Sequence, residues 1–296
     1  MHVDTTFLEY IAEEIAEEAR AGYLTPEEGR RRLALLFGDS SASAAVLIRA
    51  QASVDPAVTI PENDPAIAVE MVSYPVPEGS IQAYLARPRD GERAPGIVVV
   101  HENKGLVPYI RDVARRLARH GYVALAPDLL SPVGGTESFS DPAEATAALG
   151  RRNPEEMVQD LREAVSYLAA QPFVDAQRLG AIGFCFGGGM TWRLTCTDAR
   201  LKASVPFYGP NPPLEQVPNI RAAVLGIYGG LDERINAGIP AIEAAMAEHR
   251  KVFEKEVYPG AQHAFHNDTN PDRYHPEAAR AAWVRATEWF QRHLGS

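Results

Sequence analysis

Cys185 sits in the run Gly183-Phe184-Cys185-Phe186-Gly187. The apolar stretch 179–182 before it reads as the end of a strand, and Met190 to Thr195 after it reads as a helix. A nucleophile on a tight strand-to-helix turn needs glycine two residues to either side, because its own backbone is strained and its neighbours have no room for a Cβ. Such a turn lifts the sulfur clear of the sheet. It also aims the first N–H groups of the helix at the sulfur, which favours a thiolate and a developing oxyanion. The plainer alternative is a glycine-rich loop carrying a structural thiol. Gly187-Gly188-Gly189 is not a phosphate loop, since no Gly-Lys-Ser/Thr comes after it.

Two further groups end predicted strands. Residues 222–228 lead into Gly229-Gly230-Leu231-Asp232, and residues 252–258 lead into Pro259-Gly260-Ala261-Gln262-His263. The order nucleophile, acid, histidine is the chain order of the α/β-hydrolases. In that arrangement His263 takes the Cys185 proton, and Asp232 orients the imidazole and stabilises its charged form. The Phe186 N–H is one oxyanion donor, and the second is expected from the turn after the strand at 96–100. Taken singly, His263 could be a loop histidine and Asp232 a helix cap. Three groups at three strand ends in this order favour a catalytic triad. His101, His249, His275 and His293 show no paired ligand spacing, so no metal site is expected, and triad chemistry needs no cofactor.

The elements that must hold these residues alternate. A strand–turn–strand is predicted over 66–87, followed by strands at 96–100, 122–126, 178–184, 203–207, 222–228 and 252–258. Helices are predicted at 110–120, 155–170, 187–195, 239–249 and 276–294, with a Gly/Ser-rich excursion at 131–142. This pattern specifies an α/β fold: a mostly parallel sheet opened by an antiparallel hairpin, with helices on both faces and chemistry at the carboxyl ends of the strands. Ahead of it, helices are expected at 5–21 and 26–36, with a shorter piece at 43–51, making residues 1–55 a helical extension. Residues 56–65, with Pro56, Pro61 and Pro65, read as a linker to the main domain at 66–296. The extension is expected to mediate a homodimer or to cover the main domain as a lid or brace.

The chain of 296 residues carries a formal charge of −10, with a sequence pI near 5.3. That balance argues against nucleic-acid and anionic-membrane partners. No apolar run reaches the length of a membrane span. Cys185 and Cys196, the two cysteines, lie eleven positions apart along one predicted helix, too far for a disulfide. A cytoplasmic location is expected. The run Arg30-Arg31-Arg32 faintly resembles a twin-arginine export signal, but acidic and serine residues and Arg49 interrupt the segment after it.

The combination of His101-Glu102-Asn103-Lys104-Gly105, Ala126-Pro127-Asp128, the Cys185 elbow, Pro206-Phe207-Tyr208-Gly209, Asp232 and His263-Ala264-Phe265 resembles the dienelactone hydrolase family of α/β-hydrolases over about residues 66–296. The resemblance implies Cys185, Asp232 and His263 as the triad. It implies that Glu102 interacts with the resting thiol and helps form the thiolate when substrate binds. It also implies the Asn103 N–H as second oxyanion donor, and substrate contacts at Tyr208, Phe265 and Asn267. The family's well-known members hold a substrate carboxylate with arginines. Here one such position is Asn267, and Arg151 or Arg152 lies near the other.

The expected activity is cleavage of a small ester or lactone through a thioester acyl-enzyme. Two alternatives remain at this level: an acyltransferase or thioesterase acting on a larger acyl donor, and a non-catalytic protein that binds ligands or senses oxidation through Cys185.

Overall fold

In a computed structural model, residues 59–91 and 93–295 are described. The expected helices of the extension lie outside them. Eight strands form one sheet: β1 (Ile67–Val76), β2 (Gly79–Pro88), β3 (Ala94–Val100), β4 (Val123–Pro127), β5 (Val174–Phe184), β6 (Leu201–Phe207), β7 (Ala223–Gly229) and β8 (Phe253–Tyr258). Their spatial order is β1-β2-β4-β3-β5-β6-β7-β8. β1 and β2 form the antiparallel hairpin, in register from Ile67 opposite Pro88 to Val76 opposite Gly79. β2 meets β4 antiparallel, and every later pair is parallel.

The central strands are apolar without alternation because both faces are covered. In β3, Val98 and Val100 pack into a cluster with Leu161, Val165 and Leu168, while Ile97 and Val99 are buried toward the other face. Those leucines lie on α3 (Pro154–Ala169). Beside α3 run α4 (Phe186–Thr197) and α6 (Ile239–Glu248), where Trp192 and Cys196 pack on Val224, Ile242 and Met246. The opposite face carries α1 (Pro108–Arg119) and the closing α7 (Pro276–Leu294), where Tyr122 meets the Phe290 ring.

Helix starts obey local chemistry. Asn153 accepts from the Glu155 N–H ahead of Pro154, with Glu155 and Glu156 in the first turn against the dipole. His275 likewise accepts from the Ala278 N–H ahead of Pro276. The excursion at 131–142 holds two 3-10 turns, Ser131–Val133 and Thr136–Ser138, and leads into a helix that is not among those expected, α2 (Pro142–Arg151). Asp141 caps it through the Ala143 N–H, and Pro142 occupies its first turn. A four-residue α5 (Glu233–Asn236), also not expected, comes after β7.

Residues just before β1 are tied down. The Ile60 N–H donates to Asp112 Oδ1 at 2.7 Å, and Arg115 Nε donates to the Ile60 carbonyl at 2.5 Å, both partners being on α1. At the other end of the described sheet, β8 has one neighbour, β7. It carries Glu254, Lys255 and Glu256 in succession, paired to Arg285 and Arg292 of α7 and to Glu243 of α6.

Candidate active site

β5 delivers Cys185 to the carboxyl edge of the sheet with φ 56° and ψ −115°, a conformation that L-residues avoid. The turn is held by the Cys185 N–H donating to the Phe207 carbonyl at 3.1 Å. A Cβ on Gly183 would stand 2.3 Å from the Gly187 carbonyl oxygen, and one on Gly187 would stand 2.3 Å from that of Val100. The two glycines therefore let α4 start directly against β5 and the end of β3. The Phe186 N–H, first in α4, bonds the Cys185 sulfur and favours its ionised form.

His263 comes after β8 and stands between the other two groups. Its Nδ1 is 2.5 Å from Asp232 Oδ2, and its Nε2 is 3.0 Å from Cys185 Sγ. An ionised Asp232 requires the proton on Nδ1, which leaves Nε2 open toward the thiol. Asp232 also caps α5, accepting from the Ile235 N–H on Oδ1 at 3.4 Å. Helix cap and histidine partner thus coexist on separate oxygens of one carboxylate. Burial, with the nearby Glu102 charge next in weight, pushes the Cys185 thiol up to about 11, against the smaller opposing effects of the Phe186 N–H and Arg234.

Glu102 lies on the turn leaving β3. Its Oε2 accepts from Asn267 Nδ2 at 2.7 Å, while Oε1 is buried with no hydrogen-bond partner. Burial pushes its carboxyl up to about 7, and the Asn267 bond and Lys104 oppose the rise. His101 fixes the backbone of this turn. Its Nε2 accepts from the Leu129 N–H at 3.0 Å, so Nδ1 carries the proton given to the Glu102 carbonyl at 2.6 Å. Gly105, at φ +85°, lets the turn close on Thr136, whose Oγ1 would stand 2.1 Å from an added Cβ. That hydroxyl accepts from the Leu106 N–H and donates to Asp128.

The remaining expected site residues surround this centre. Tyr208, at φ 38°, is fully buried, with its ring centroid 5.2 Å from that of His263. Phe265 is also fully buried, packed between Tyr208 and Tyr258. Asn103 comes directly after Glu102, and its carbonyl accepts from Thr146 of α2 at 3.1 Å. Asn267 uses its Oδ1 for the Thr269 N–H and hydroxyl. Arg152 is turned inward, donating to the Leu129 carbonyl and pairing with Asp160 at 2.9 Å, whereas Arg151 is exposed. Sequence reasoning missed His101, Thr136 and Thr269 as supports. It also missed the buried pair of Tyr109 and His266, joined at 2.6 Å. Only His101 carried a signal, its place at a strand end beside Glu102. Among the described residues, no group of side chains could hold a metal ion.

The sequence model of the dienelactone hydrolase family matches residues 81–294, a span that contains every group just described. The chain belongs to the dienelactone hydrolase family. A relative from Methylorubrum extorquens named "Putative carboxymethylenebutenolidase" is 36% identical over 234 residues, covering 75% of this chain and 80% of its own. The solved structure of a Klebsiella pneumoniae "Putative Dienelactone Hydrolase" superposes with a TM-score of 0.71 at 32% identity, covering 77% of this chain and 100% of that one. A dienelactone hydrolase-like promiscuous phosphotriesterase from metagenomic libraries superposes at 0.70 with 26% identity, covering 78% and 100%. As a member of this family the protein is an α/β-hydrolase-fold enzyme of the esterase and lactonase type. No described helix is long and apolar enough to cross a membrane.

Proposed function

We propose that this dienelactone hydrolase family member cleaves a small, uncharged ester or lactone through a Cys185–His263–Asp232 triad. The carrying observation is His263, within hydrogen-bond reach of Asp232 on one ring nitrogen and of the Cys185 sulfur on the other. The sulfur attacks the carbonyl carbon and its proton passes to His263 Nε2. The tetrahedral oxyanion is held by the Phe186 and Asn103 N–H groups. His263 then gives the proton to the leaving alkoxide, and a thioester remains on Cys185. Water, deprotonated by His263, hydrolyses the thioester and returns the proton to sulfur. Glu102 assists formation of the thiolate when substrate desolvates the site, the proton itself ending on His263 Nε2. Tyr208 and Phe265 shape the wall behind His263.

The uncharged character of the substrate is inferred from Arg152 and Asn267, the inward-facing side chains at the two positions where the resemblance places carboxylate-holding arginines. Arg152 is committed to Asp160 and the Leu129 carbonyl. Asn267 is committed to Glu102 and Thr269. Neither is free to meet a substrate carboxylate. The relative's printed name points to a carboxymethylene lactone, and this site favours its neutral analogues. The test is hydrolysis of p-nitrophenyl acetate and a small neutral lactone by the whole chain and by Cys185→Ala. The variant is expected to lose at least about 10³-fold in kcat/KM. Full activity in Cys185→Ala would end this reading.

A further inference from the structure

The peptide between Glu102 and Asn103 is held at one end and open at the other. A trans peptide is planar, so the Asn103 N–H points opposite to the Glu102 carbonyl, and whatever fixes that carbonyl aims the N–H. The carbonyl accepts from His101 Nδ1 at 2.6 Å and, at a longer 3.3 Å, from the Gly105 N–H. The Asn103 N–H donates to no protein group among the described residues. It is the free end of a chain of donors that starts at the Leu129 N–H and passes through the His101 ring.

Every link in this chain has a fixed direction. A backbone N–H can only donate, so Nε2 is bare where Leu129 meets it at 3.0 Å. The ring is fully buried, and burial lowers its proton affinity against the opposing charge of Asp128. A neutral ring has one proton, which is then on Nδ1 and points at the Glu102 carbonyl. Donation to an amide oxygen draws density toward it and makes the N–H of the same amide a stronger donor. The parallel register puts Val100 of β3 opposite Gly183 of β5, and Asn103 and Phe186 each lie three residues beyond. The His101 ring stacks on that of Phe186 at 6.3 Å between centroids and 23° between planes. We propose that His101 is a positioning residue of the oxyanion hole: it orients and polarises the Glu102–Asn103 peptide so that the Asn103 N–H stands ready beside that of Phe186. The Glu102 carboxylate has no part in this; only its main-chain carbonyl does.

This inference rests on the triad reading, and the two fail separately. Hydrolysis of p-nitrophenyl acetate is measured for the whole chain, for His101→Gln and for His101→Asn. Glutamine sets an acceptor for the Leu129 N–H where Nε2 stood, but offers the Glu102 carbonyl no donor. Asparagine sets an amide N–H where Nδ1 stood. Acylation and deacylation both pass through an oxyanion, so His101→Gln is expected to lower kcat about 10- to 100-fold with KM within about twofold. His101→Asn is expected to recover most of that loss. Alkylation of Cys185 by iodoacetamide displaces iodide and builds no oxyanion, so its rate is expected to stay within about twofold in both variants. A loosened turn would move alkylation and KM as well. Parental kcat in His101→Gln, an equal loss in His101→Asn, or alkylation that falls with hydrolysis overturns the proposal. Nitrogen-15 shifts of the ring in the parent chain are expected to show the proton on Nδ1 from pH 6 to pH 8; a proton on Nε2 overturns it without any variant. Full activity in Cys185→Ala, with the His101 results as expected, would end the triad reading alone.

Discussion

Glu102 keeps its proton to about pH 7 in the folded chain, against 4.5 for an unperturbed glutamate. The folded state therefore binds more protons than the unfolded state between those values, and stability falls as pH rises through that window. A gap of about 2.5 units sets a ceiling of ~3 kcal/mol on the loss. Glu102→Gln removes the ionisation while keeping an acceptor for Asn267. Urea unfolding is expected to show the variant more stable than the parent at pH 8, by up to ~3 kcal/mol, with little difference near pH 4.5. Equal stability at both pH values would mean that the buried carboxyl carries no such cost. Stability gained at the expense of the reactive group is the usual mark of a functional residue.

At this scale the sequence is informative where spacing along the chain carries the information. Cys185 and Asp232 each come after an apolar run and His263 after a charged, strand-like one, and their order is visible without coordinates. Asn267 and Glu102 are 165 positions apart. No local pattern announces that one will bond the other, so the chain around Asn267 suggests a substrate contact instead. The amide's commitment to Glu102 and Thr269 exists only in three dimensions.

Among the elements, the elbow between β5 and α4 shows how close packing constrains sequence. A Cβ on Gly187 would meet the carbonyl oxygens of Val100 and His101 at 2.3 and 2.4 Å. Those carbonyls end β3 and begin the turn that carries Glu102, so relief would have to move catalytic backbone. Gly187→Ala is expected to destabilise the chain by about 3 kcal/mol or more and to abolish hydrolysis. Gly150 lies in α2 with nothing within 4 Å of an added Cβ. Gly150→Ala is expected to stabilise by up to ~1 kcal/mol with activity unchanged. Paired denaturation curves test both, and similar midpoints for the two variants would refute the argument from packing. The strands are legible because their apolar runs end at Gly, His or Asp. The α2 helix is obscured by the Gly/Ser-rich residues before it, although Asp141-Pro142 with Glu144 is a sound start signal. α5 is one turn long, too short for any periodicity to reveal.

For the molecule as a whole, residues 56–296 form one compact unit. Within it, Asp112 of α1 joins the Ile60 backbone to Arg116, and Arg116 in turn pairs with Asp268 beside Asn267. A chain starting at residue 56 keeps this series of contacts. It is expected to unfold in a single transition. A chain starting at residue 66 loses the Ile60 contacts with Asp112 and Arg115, and a lower midpoint is expected. Calorimetry of both truncations checks this, and identical midpoints would show that residues 59–65 contribute nothing.

The β8 end of the sheet has a consequence for how the protein behaves in bulk. Among the described residues β8 pairs with β7 alone, and an edge strand presents a row of main-chain donors and acceptors on which a neighbouring molecule can add a strand. Three consecutive charged side chains guard that row. Two of them are carboxylates, and the whole chain carries −10 at neutral pH. Near pH 5.3 the net charge falls to zero, and the long-range repulsion between molecules vanishes with it. Acid, rather than heat or concentration, is therefore the condition under which this enzyme is most exposed to filament-like self-association. Its colloidal window opens above the isoelectric point and is already wide at neutral pH.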